Sequence, residues 1–156
     1  MIVARIVGGV TDHFIRRAPE WLMTYMLMQF GLGLLLFGNV FASSPGYRTM
    51  AMLANEAVWG WFCIAVAGAR LAALIANGTF HVFKRASPLV RSFGALLSAV
   101  AWFAVTIGLY SAGRPGAGTY AGLLAADLYL ASWIVAGEAA AAERAHRNAR
   151  YPRNRA

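Results

Sequence analysis

The chain has 156 residues, of which 60% are hydrophobic and 13% charged, and a net charge of +8. A soluble globular domain is about one-quarter charged, so an ordinary water-facing fold is excluded. The basic excess would suggest nucleic acid in a soluble protein, but here Lys and Arg flank apolar runs. They are expected to hold topology against anionic lipid head groups, with no specific nucleic acid as a partner.

In residues 1–20, Val3, Ile6, Val7, Val10 and Phe14 share one helical stripe, with Arg5, Asp12 and Arg16 largely opposite. The pattern predicts an amphipathic helix lying in the membrane interface. Gly8-Gly9 oppose it, and a disordered tail is the alternative.

The first apolar run covers Trp21–Ala42, with Trp21 as an interface anchor and Gln29 as its one strongly polar residue near mid-depth. Its 22 residues exceed the apolar core of a signal peptide, about 7–15 residues, so the run is expected to be retained. Pro45-Gly46 predict a turn, and residues 47–55 a short surface helix.

The second run, Ala57–Ala76, has Trp59 and Trp61 as interface anchors at one end and Asn77-Gly78 closing the other. Its single charge is Arg70, which must snorkel or find a partner. Cys63 is the only cysteine and is expected to pack as a small hydrophobe.

Ser87-Pro88 can start the next helix, since proline is tolerated in a first turn. The third run is Phe93–Ala112, where Gly94 and Ser98 make a small helix-packing face. The fourth is Tyr120–Gly137, with Asp127 near its middle and Gly122 and Ala126 as a second small face. Residues 138–156 follow as a basic helical tail, rich in helix formers and ended by Tyr151-Pro152.

Four runs of 18–22 residues predict an all-α integral membrane four-helix bundle made of two helical hairpins. Five positions from Gly38 to Thr49 recur seventy residues later, from Gly108 to Thr119. Duplication of a hairpin and coincidence in an Ala- and Gly-rich chain both explain this echo. Lys and Arg number three in the N-terminal segment, three in the middle loop and five in the tail, against one in each of the other two loops. Both termini are therefore expected on the cytoplasmic side of the membrane.

Arg70 and Asp127 are the charged side chains deep within the runs. By helical rise they lie about 8 Å apart in depth, within reach of an arginine. A structural pair that fixes helix packing is expected; an ion path, proton path or gate is the alternative, and no second acid or histidine stands near to make a relay. His13, His81 and His146 are not paired at metal-ligand spacing, and no catalytic or nucleotide-binding motif occurs. No enzyme, cofactor or metal is expected.

Arg17-Ala18-Pro19-Glu20-Trp21, Phe41-Ala42-Ser43-Ser44-Pro45-Gly46-Tyr47, Glu56-Ala57-Val58-Trp59-Gly60-Trp61, Arg70-Leu71 and Asn77-Gly78 together resemble small four-span membrane proteins of tailed bacteriophages and prophages. The resemblance covers mainly residues 17–80, implies an origin, and carries no activity or site residue. Size and basic tail add an analogy with holins, which implies a protein that oligomerises to permeabilise or remodel the membrane. A non-pore protein that binds a partner, such as an accessory lysis or exclusion factor, is the alternative, and a small transporter subunit a third. Partners are expected to be the bilayer and either further copies of the chain or another protein.

The topology has a direct check. Reporter fusions at residues 46, 85, 115 and 156 are expected to read outside, inside, outside, inside, and an outside C-terminus would overturn it.

Overall fold

A computed structural model describes the backbone of residues 2–79 and 87–150, and the side chains of residues 17–76, 89–137, 140, 141 and 144. The described residues form an all-α four-helix bundle. The long helices are α1 (Ile2–Phe37), α4 (Glu56–Thr79), α5 (Ser87–Ser111) and α6 (Ala117–Arg150). Between α1 and α4 lies a crossover made of α2 (Val40–Ser43), a 3-10 turn (Pro45–Tyr47) and α3 (Arg48–Leu53). Four stretches are long and apolar enough to cross a membrane: Arg17–Phe37, Glu56–Ala76, Leu89–Ser111 and Ala117–Gly137. The chain is a multi-pass membrane protein on that ground.

Several boundaries differ from the sequence expectation. The first membrane helix ends at Phe37 and not at Ala42, because Gly38 (φ 54°) and Asn39 (φ 58°) turn left-handed. Glycine and asparagine are the residues that tolerate this conformation, and two in succession stop a helix whatever the hydropathy beyond. The N-terminal segment is not separate from the first span: α1 runs through Pro19 without a break. The apolar stripe expected on residues 1–16 lies outside the described side chains, as does His81. Asn77-Gly78 do not close α4, which continues to Thr79. Helix α5 begins at Ser87-Pro88, six residues before the apolar run, and α6 continues beyond Gly137 to Arg150.

In lipid there is little hydrophobic drive between helices, so close packing and hydrogen bonds must hold them. Helix α1 packs on α4 where both lack bulk: a Cβ on Gly31 would lie 2.9 Å from both the Cys63 Cβ and the Gly60 carbonyl. Helix α5 has the most buried span of the four and packs against both α4 and α6. Between α1 and α6 the packing is light, and a cavity of about 460 Å³ opens there beside Met26, Gln29, Phe30, Thr119 and Tyr120.

The turn expected at Pro45-Gly46 and the short surface helix expected over residues 47–55 are the 3-10 turn and the largely exposed α3. The crossover lies across the end of α5, with Gly46 and Met50 buried. A Cβ on Gly108 would stand 2.0 Å from the Gly46 carbonyl, so two glycines let backbone meet backbone. Asn55 Oδ1 accepts from the Val58 amide (2.9 Å) and starts α4. The Glu56 carboxylate accepts from the amides of Val40 (3.0 Å) and Phe41 (3.3 Å), the first two of α2, which have no partner within that helix. The Trp59 indole donates to the Met50 carbonyl (3.0 Å). Tyr47 hydrogen-bonds Tyr120 and stacks on Phe41; burial first, then that hydrogen bond, pushes its phenol above the ordinary range. The echoed positions are not equivalent, since Gly38 ends a helix and Gly108 lies inside one.

Gly108→Ala is expected to lower stability by about 1–3 kcal/mol, the usual penalty of overpacking, whereas Gly122→Ala should change it by less than about 0.5 kcal/mol. Thermal unfolding in detergent compares the two.

Candidate functional site

Arg70 on α4 and Asp127 on α6 meet inside the bundle, 3% and 0% exposed. Arg70 Nη1 donates to Asp127 Oδ1 (2.8 Å) and to Ser98 Oγ (2.7 Å). Ser98 in turn donates to Asp127 Oδ2, and the Trp102 indole Nε1 donates to the same oxygen at 3.0 Å. Three helices thus converge on one carboxylate.

The α5 side of the site is a single stripe at spacing i, i+4, i+8. Gly94 makes room for the arginine stem: a Cβ there would lie 2.6 Å from Arg70 Cγ. Ser98, one turn on, accepts from the guanidinium and donates to the carboxylate. Trp102, a further turn on, closes the second carboxylate oxygen. The stripe follows from helix geometry alone, since residues four apart share a face.

The expected packing pair Gly94 and Ser98 therefore packs against a charged side chain, not against a bare helix. The other expected pair divides. Ala126 is partly buried against the core, but Gly122 is exposed and a Cβ on it would meet nothing within 4 Å. Helix α6 turns that residue away from α5, because Asp127 must face inward and Gly122 lies five residues, and so well over one turn, before it.

The tryptophans divide as well. Trp61 is exposed and Trp21 half-buried. Trp59, expected as an interface anchor, is 8% exposed and ties α4 to α3 through its indole. Its ring meets Phe62 edge-on and belongs to the core.

A second ion pair was not expected from the sequence. Glu20 and Arg91, each 8% exposed, join α1 to α5 through two parallel bonds, Nε to Oε2 at 2.7 Å and Nη2 to Oε1 at 2.5 Å. By sequence position Arg91 is one of the three middle-loop charges and Glu20 belongs to the N-terminal segment; in the fold each lies near the start of a span. The signal was their equal depth in antiparallel hairpins, which place the starts of the first and third spans at the same end. Trp102 had a signal too. An indole N–H in mid-span, away from any interface, requires an acceptor.

Every buried side-chain nitrogen and oxygen among the described residues has a partner. Thr24 and Thr106 return their hydroxyls to the carbonyls of Glu20 and Trp102, four residues back. No group of three or more His, Cys, Asp and Glu that could hold a metal is found among the described residues. The arrangement neutralises two charges, locks the rotation of α4, α5 and α6 against one another, and leaves no buried donor or acceptor facing an open path.

No family model, curated protein or solved structure matches this chain.

Arg70→Ala or Asp127→Ala alone leaves an uncompensated charge and is expected to lose about 3–5 kcal/mol. The double change should lose less than the two singles summed, and additive losses would separate the residues energetically. Trp102→Phe, which removes one of the two donors to Asp127 Oδ2, is expected to lose about 1.5–3 kcal/mol, the range of a hydrogen bond to a charged group, on the same melting assay.

Proposed function

We propose that this chain is a non-conducting membrane protein that works by binding a partner within the bilayer. It belongs in a bacterial inner membrane with both termini cytoplasmic, and is of phage or prophage origin; its role is that of an accessory lysis or exclusion factor. The closed polar interior carries this reading. Arg70 and Asp127 neutralise each other within one copy of the chain, so they line no path for an ion. Most of what the spans turn outward is apolar: Leu22, Tyr25, Leu36, Phe93, Val100, Phe103, Trp133 and Val135 are all more than half exposed. A lumen lined by such side chains would exclude water. The same surface suits helix contacts in lipid. The basic tail, with Arg144 exposed and Arg147, Arg150, Arg153 and Arg155 beyond it, is suited to anionic lipid head groups.

A holin-like protein that oligomerises and permeabilises the membrane is the second reading. Gln29 and Thr119, both exposed beside the α1–α6 cavity, favour it as polar groups that an assembled lumen could present. A transporter subunit has weaker support, since Arg70 and Asp127 are satisfied by each other and by Ser98 and Trp102.

Inducible expression in a bacterium, followed with a potential-sensitive dye, separates these readings. Retained membrane potential and growth are expected. Abrupt collapse of the potential after a delay would overturn the non-conducting reading and return the holin-like one.

A further inference from the structure

We propose that the outward face of α1 is a self-association interface, and that its occupant is α1 of a second copy of this chain, with Gln29 hydrogen-bonded to Gln29 across a two-fold axis. The proposal rests on the reading of the chain as a bilayer protein that binds a partner, and names that partner.

The first observation is an unmet amide. Gln29 lies in the span Arg17–Phe37, about 12 Å of helix before Phe37. It is exposed and makes no hydrogen bond among the described residues. Buried polar side chains elsewhere in the spans are all satisfied. A primary amide at hydrocarbon depth meets no water, and leaving its two donors and one carbonyl unpaired is unfavourable.

The second observation is the pattern around it. Leu22, Met26, Gln29, Gly33 and Leu36 follow one another at spacings of four and three, the seam of a helix that packs on a parallel partner. Leu22 (54% exposed), Met26 (39%) and Leu36 (74%) are uncovered, while the opposite stripe of Met23, Leu27, Gly31 and Leu34 is buried in the bundle. Gly33 has no tight contact within the chain, since a Cβ there would meet only Phe37, at 3.9 Å. It therefore leaves room for a helix from outside.

The partner follows from symmetry. All copies in one membrane share one topology, so two copies related by an axis along the membrane normal bring α1 against α1 in parallel. Equivalent residues then meet at equal depth. An amide both donates and accepts, so two identical amides complete each other without a third group. The adjoining cavity offers space for side chains of the second copy beside Met26 and Thr119.

Cysteine crosslinking of the full chain in native membranes tests this. In a Cys63→Ala background, Leu22→Cys, Met26→Cys and Leu36→Cys are expected to form disulfide dimers. Ile107→Cys and Leu128→Cys, on other exposed faces, are not. Gln29→Leu should weaken association about threefold to thirtyfold, the range of an interhelical polar bond, with Gln29→Asn retaining part of it. Gly33→Leu should abolish the dimer. Equal crosslinking on every face, no crosslinking on any, or a dimer unaffected by Gln29→Leu would overturn the proposal. So would unfolding of Gln29→Leu in detergent, which would place the amide's role inside one copy. Membrane potential, read on the same cells, reports separately on the non-conducting reading.

Discussion

A guanidinium in hydrocarbon must be neutralised and hydrogen-bonded, or it destabilises the helix that carries it. Arg70 imposes that condition, and the bundle meets it by placing Asp127 at 2.8 Å. Once the pair is made, little else near it is free. Position 94 has no space for a side chain, position 98 must both accept and donate, and position 102 must donate to a carboxylate oxygen. Gly94, Ser98 and Trp102 meet those demands on consecutive turns of one helix. The rotation of α4, α5 and α6 about their own axes follows from that chemistry. The low dielectric that makes the unpaired charge unfavourable also strengthens each bond of the completed network.

Helix α1 is held by different means. It meets α4 through small residues and α5 through the Glu20–Arg91 pair, which stands at the opposite end of the bundle from the crossover. The crossover itself lies over the end of α5 and is fastened to α4 by Glu56, through the first amides of α2, and by Trp59, through the Met50 carbonyl of α3. The bundle is therefore secured at its middle by one ion pair, near one end by another, and at the other end by backbone contact. Among the described residues α1 packs only lightly on α6, and the cavity lies there.

This distribution of polar groups bears on what the protein does. Its charges in the spans are used up internally, and its outward faces are apolar. In the proposed reading, lipid and other helices are the partners of that perimeter. Gln29 departs from that rule, as a hydrogen-bonding group turned to the side where the bundle is least closed.

Much of this was legible without coordinates. Length and hydropathy determined four spans, because crossing about 30 Å of hydrocarbon is a requirement on consecutive residues. Depth along each helix is also a matter of counting, so the meeting of Arg70 with Asp127 could be anticipated. Ser87-Pro88 marked a helix start through the proline ring alone. Rotation about each helix axis is a different quantity. Hydropathy of a run that is apolar all round says nothing about which side faces a neighbour. Only the tertiary structure could turn Gly122 outward, bury Trp59, recruit Trp102 and bring Glu20 to Arg91. Likewise, Phe37 ends its helix while the apolar run continues to Ala42, because two left-handed residues decide a boundary that hydropathy does not register. Composition and order determined the number and depth of the helices; their facing was decided by a few contacts between residues distant in the chain.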